Sequence, residues 1–110
     1  VDRTVLTERL RALEDQLARL DADAASLRAD RADATADDEH DPEGSTLSGE
    51  WQRVEALREG ALRERAAVVE ALARLDAGTY GICARCGSPI PAARLEALPM
   101  ATMCVPCASR

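Results

Sequence analysis

The stretch that decides the fold is residues 78–110, GTYGICARCGSPIPAARLEALPMATMCVPCASR, which holds all four cysteines of the 110-residue chain. They form two CxxC pairs, Cys83/Cys86 and Cys104/Cys107, with seventeen residues between the pairs. This is the spacing of a four-thiolate zinc site. Each CxxC knuckle presents two sulfurs on one tight turn, and zinc takes four tetrahedral ligands at about 2.3 Å. Gly87, directly after the first pair, suits the backbone bend of a knuckle, and Gly81 lets the entering chain turn sharply. Between the pairs, Pro91 opens a short helix over AARLEAL and Pro99 closes it. Leu95 and Leu98 are expected to pack beneath the metal with Ile90 and Tyr80. Arg85 and Arg94 are candidates to offset the double negative charge of a four-thiolate centre. With four protein ligands and no open position, one Zn2+ at Cys83, Cys86, Cys104 and Cys107 is structural and not catalytic. Disulfide, redox and iron–sulfur uses of the thiols are weaker readings: the chain looks intracellular, where thiols stay reduced, and no βαβ pattern stands beside either CxxC to suit a redox role.

Working outward, the rest of the chain reads as two helices. From Leu6 the apolar residues fall at Leu6, Leu10, Leu13, Leu17, Leu20, Ala24 and Leu27, alternating steps of four and three. That alternation is a coiled-coil seam. Thr4 or Thr7 is a candidate cap. The segment DDEHDPEGSTLSGE (37–50) carries Pro42 and Gly44 as breakers. A second seam follows at Leu47, Trp51, Val54, Leu57, Ala61, Val68, Leu72 and Leu75, with Arg65 at one expected apolar position. Gly60 weakens this helix and Gly78 is placed to end it. The pattern predicts a mainly α protein. Residues 1–77 form an antiparallel coiled-coil hairpin (helix about 4–36, acidic tip about 37–46, helix about 47–77), and residues 78–110 form the zinc module. Arms of about thirty residues imply a rod on the order of 45 Å long. A monomer is expected, with a dimeric four-helix bundle as the alternative.

Composition narrows the function classes. Phe is absent, Trp51 and Tyr80 are the only aromatics, and the net charge is −6. A poor aromatic core calls for long zipped helices or a metal staple. The acidic total argues against direct sequence-specific DNA binding and against anionic membranes. No run is long and apolar enough to span a membrane, which with the reduced thiols predicts a cytoplasmic protein. No Ser/His/Asp set and no phosphate-cradling loop is present, so an enzyme is not expected. His40, among acids, reads as a solvated loop histidine. Arg53, Arg58, Arg63, Arg65 and Arg74 either line a partner-facing surface or pair with acids along and across the helices.

The string YGICARCGSPIPAARLEALPMATMCVPC resembles the C4 zinc finger of the DksA/TraR family of bacterial transcription regulators. Tyr80-Gly81, both CxxC pairs, Gly87, Ile90, Arg94-Leu95, Ala97, Pro99 and Ala101 carry the likeness, and the preceding hairpin matches the family architecture. The resemblance implies a partner, RNA polymerase, entered through its secondary channel by the coiled coil. It also implies an effector at the acidic tip, here Asp37, Asp38, Glu39, Asp41 and Glu43, and in well-known members a stronger effect with guanosine tetraphosphate. The best-studied members carry Asp-x-x-Asp-x-Ala at the tip. This chain departs from it, with Glu43 or Gly44 for the second Asp and Ser45 or Thr46 for the Ala. The alternative function is a zinc-stabilised protein-interaction or nucleic-acid-binding module without polymerase activity.

Overall fold

A computed structural model describes residues 3–37 and 42–110, with side chains at all of these except 34–37 and 42–46. Four helices run in the order α1 (Arg3–Asp37), α2 (Pro42–Ala77), α3 (Ala92–Ala97) and α4 (Val105–Ala108). No strand is present among the described residues; one isolated antiparallel bridge joins Ile82 to Pro89. The long pair α1 and α2 makes a helical hairpin, followed by the small cysteine module. The helix α2 begins at Pro42, earlier than the expected start near 47. Proline at a first helical position loses no bond that the helix would have made, so it opens the helix where the sequence reading treated it as a breaker. Among the described residues, no helix is long and apolar enough to cross a membrane.

The chain divides into two compact units, Val1–Arg11 with Arg65–Arg110, and Ala12–Glu64. In the first, Leu6 and Val68 are both 0% exposed, and Ala71 is buried with them. Arg3 of α1 pairs with Asp76 of α2. In the second, Leu13, Leu17, Leu20 and Ala24 of α1 are buried, as are Val54 and Ala61 of α2. Cross-helix pairs fix the register here. Asp21 pairs with Arg58 at 2.7 Å, and the Arg28 guanidinium lies 5.6 Å from the centre of the Trp51 ring. In both pairs the residue numbers add to 79, as an antiparallel hairpin of constant register requires.

The α1 seam lies where its four–three spacing puts it. The α2 seam does not entirely. Leu57 is 42% exposed, and the half-buried Arg58 takes the step between Val54 and Ala61. Its guanidinium reaches Asp21 across the hairpin, so charge pairing fills a level where apolar packing was expected. Thr7 is no cap either: it lies inside α1 and its hydroxyl donates to the Arg3 carbonyl at 2.9 Å. The end of α2 follows its sequence signal closely. Gly78 has φ +75, its N–H donates to the Leu75 carbonyl at 3.2 Å, and the Thr79 N–H donates to the Arg74 carbonyl at 2.9 Å. That pair of bonds is a Schellman stop, which needs a residue at ease in the left-handed region.

Candidate metal centre

The two CxxC pairs are brought together by short backbone links. Gly81 (φ +80) and Gly87 (φ +76) turn the chain on either side of the first pair. Between them the Cys83 N–H donates to the Ser88 carbonyl at 2.8 Å, and the Ile90 N–H donates to the Gly81 carbonyl at 2.7 Å. The Gly87 N–H then donates to the Cys83 carbonyl at 2.9 Å, closing the first knuckle. The second knuckle repeats that closure, with the Ala108 N–H donating to the Cys104 carbonyl at 2.9 Å. Here the closure opens α4, a short helix the sequence reading did not foresee, with proline at its start. A bond from the Ala84 N–H to the Thr102 carbonyl at 2.8 Å ties the two knuckles together.

The connecting segment supports the pair of knuckles. Pro91 precedes α3 and the helix stops at Leu98, one residue before Pro99. Cys83, Ile90 and Cys107 form a buried cluster against which Leu95, Met103 and Cys104 pack. Leu98, expected beneath the metal, is instead 51% exposed. It ends α3 with φ −131, so its side chain leaves the face that Leu95 occupies. Tyr80 acts through its hydroxyl, which donates to the Pro99 carbonyl at 2.7 Å. Arg94 holds the second knuckle by donating from Nε to the Met103 carbonyl at 2.9 Å. The Arg74 guanidinium likewise donates to the carbonyls of Thr79 and Ile82, which fastens the module to the end of α2. Both arginines were expected to meet charge or a partner; each meets backbone carbonyls.

All four Sγ atoms lie within 4.8 Å of one another. Cys86 and Cys104 are 3.7 Å apart, far beyond the roughly 2.0 Å of a disulfide. A tetrahedron with about 2.3 Å bonds to zinc has edges of about 3.8 Å, so the spacing fits the ion. The acid–base chemistry points the same way. Backbone N–H groups of Cys86, then Cys104, lower Cys83 from 9.0 to about 5, and burial works against them. The Ser88 amide and hydroxyl lower Cys86. Cys107 is raised to about 12, first by its hydrogen bond to Cys104 and then by burial. The thiols thus favour some thiolates but cannot all ionise side by side. A dication removes that limit, because each sulfur then faces positive charge.

Sequence reasoning missed Ser88 and Thr102, although a serine just past a CxxCG knuckle was a readable sign. Asp38, Glu39, His40 and Asp41, and the side chains of Asp37 and Glu43, lie outside the described residues. Elsewhere on the hairpin, Arg53 pairs with Glu50 at 3.6 Å and Trp51 is half-buried beside Arg28.

Residues 78–110 match the family described as prokaryotic dksA/traR C4-type zinc finger. An uncharacterized protein of Aquifex aeolicus (strain VF5) is 53% identical over 38 residues, which make up 34% of this chain and 26% of that protein. The match therefore spans about a quarter of that relative's length. The solved structure of transcription factor DksA2 from Pseudomonas aeruginosa is similar with a TM-score of 0.60 and 26% identity, over 99% of this chain and 84% of that one.

Proposed function

We propose that this chain, whose residues 78–110 match the prokaryotic dksA/traR C4-type zinc finger family, is a transcription regulator that binds RNA polymerase through its secondary channel. Cys83, Cys86, Cys104 and Cys107 hold one zinc ion, whose role is to fold the module. The helical hairpin (residues 1–77) enters the channel as a monomer, and the acidic tip, Asp37, Asp38, Glu39, Asp41 and Glu43, is the effector. Concentrated carboxylates there suit a bound cation or basic loops of the polymerase. Guanosine tetraphosphate is a candidate modulator, and the partner places the protein in the cytoplasm.

The finger match carries this reading. The likeness to the Pseudomonas aeruginosa transcription factor DksA2 supports it along nearly the whole chain. The acidic charge of −6 weighs against the alternative of a finger that grips nucleic acid directly. The test is capture of RNA polymerase from the native host, followed by transcription in vitro. Replacing the five tip acids with Asn and Gln should preserve capture and abolish the transcriptional effect. An unchanged transcription profile would remove the tip as effector, and failure of the parent protein to capture polymerase would overturn the reading itself.

A further inference from the structure

The unit Ala12–Glu64 carries a shallow cavity that the reading above does not use. Asp23, Ser26 and Leu27 of α1 and Glu50, Arg53 and Val54 of α2 line it, and its volume is about 290 Å³. The register set by Asp21–Arg58 and Arg28–Trp51, in which paired residue numbers add to 79, brings Ser26 level with Arg53 across the cavity.

The lining has a definite chemistry. Leu27 and Val54 supply an apolar floor. The rim carries the carboxylates of Asp23 and Glu50, the Ser26 hydroxyl and the Arg53 guanidinium. Arg53 faces Glu50 at 3.6 Å, and nearby Arg28 lies over the Trp51 ring. Asp23 has no ion pair among the described residues, so one negative charge on the rim is left over. Apolar floor and spare carboxylate are the complement of a lysine or arginine, whose methylene stem packs while its head stays at a wet edge. The hairpin uses the same chemistry internally nearby, where Arg58 takes a seam position and reaches Asp21 at 2.7 Å.

We propose that this notch seats one basic side chain, arginine or lysine, projecting from the polymerase, with its charged head on Asp23. The proposal rests on the polymerase reading and adds to it a contact on the flank of the hairpin, separate from the acidic tip. Charge complementarity selects the occupant: the chain is acidic overall, and the notch keeps an unmatched carboxylate.

Two variants test it in the full chain. Ser26→Leu crowds the notch from an exposed lining position of α1, and should melt near the parent temperature. Asp23→Asn removes the charge at an exposed position with little change of shape. Both should bind RNA polymerase of the native host about tenfold more weakly than the parent protein. Parent-like binding by both variants overturns the proposal and leaves the polymerase reading standing. Weak binding by Ser26→Leu alone overturns the basic occupant, since an apolar side chain would then fill the notch. Should Ser26→Leu melt low, Asp23→Asn decides by itself. A parent protein that fails to bind polymerase overturns both readings together.

Discussion

Two glycines of α2 provide a matched test of how the helix and its end are built. Gly60 lies in the helix interior, and a Cβ placed on it would meet only Arg63 Nη2, at 3.9 Å. Gly78 lies just past the end with φ +75, and a Cβ there meets nothing within 4 Å. Neither substitution by alanine creates a clash, so backbone preference alone sets the outcome. Gly60→Ala should stabilise by about 1 kcal/mol, because alanine loses less conformational freedom in a helix. Gly78→Ala should destabilise by about 1–2 kcal/mol, because an L residue is strained in the left-handed region that the Schellman stop requires. The two variants therefore differ by about 2–3 kcal/mol in opposite directions from the parent, a spread on the order of 10 °C in melting temperature. Urea and thermal melts of the zinc-loaded protein followed by circular dichroism read both signs. If Gly78→Ala matched or exceeded the parent, the left-handed stop at the join between α2 and the finger would be refuted.

Other predictions follow from burial and ionisation. Leu6→Ala removes a fully buried seam side chain and should cost about 2–5 kcal/mol. Leu57→Ala, on an exposed leucine of the other helix, should stay within about 0.5 kcal/mol of the parent in the same melts. The fold lowers Cys83 from 9.0 to about 5, so this thiol contributes stability that is complete above pH 9 and lost as pH falls through about 5. Metal binding needs thiolates at all four positions and releases protons, which gives the same sign. Zinc should stay bound at pH 7 and be released on acidification through about pH 5, as a chromophoric chelator would record; a zinc content indifferent to pH over that range would contradict the assignment.

The parts of the fold legible in the sequence are those where one physical signal acts alone. The α1 seam could be read because leucine or alanine fills every step from Leu6 to Leu27 while charge fills the other faces. Gly78, Gly81 and Gly87 could be read because each meets a backbone demand that no other residue meets cheaply. The α2 seam was harder. Leu57 has the right chemistry one residue from the right place, and only the partner helix, through Asp21, reveals that Arg58 holds the level. In the finger, the ligand spacing could be read from the cysteines, but the supports could not. Arg74 and Arg94 spend their guanidinium groups on main-chain carbonyls of Thr79, Ile82 and Met103. A one-dimensional pattern does not register acceptors that belong to the backbone. Leu98 shows the same limit, since its exposure depends on where α3 unwinds.

The account rests on four sulfurs sharing one ion. X-ray absorption at the zinc edge, joined to elemental analysis of the purified full chain, tests this most directly. The expected result is one zinc per chain with four sulfur neighbours at about 2.3 Å. A substoichiometric metal content, nitrogen or oxygen in the first coordination shell, or a mass lowered by disulfide formation between the CxxC pairs would contradict it.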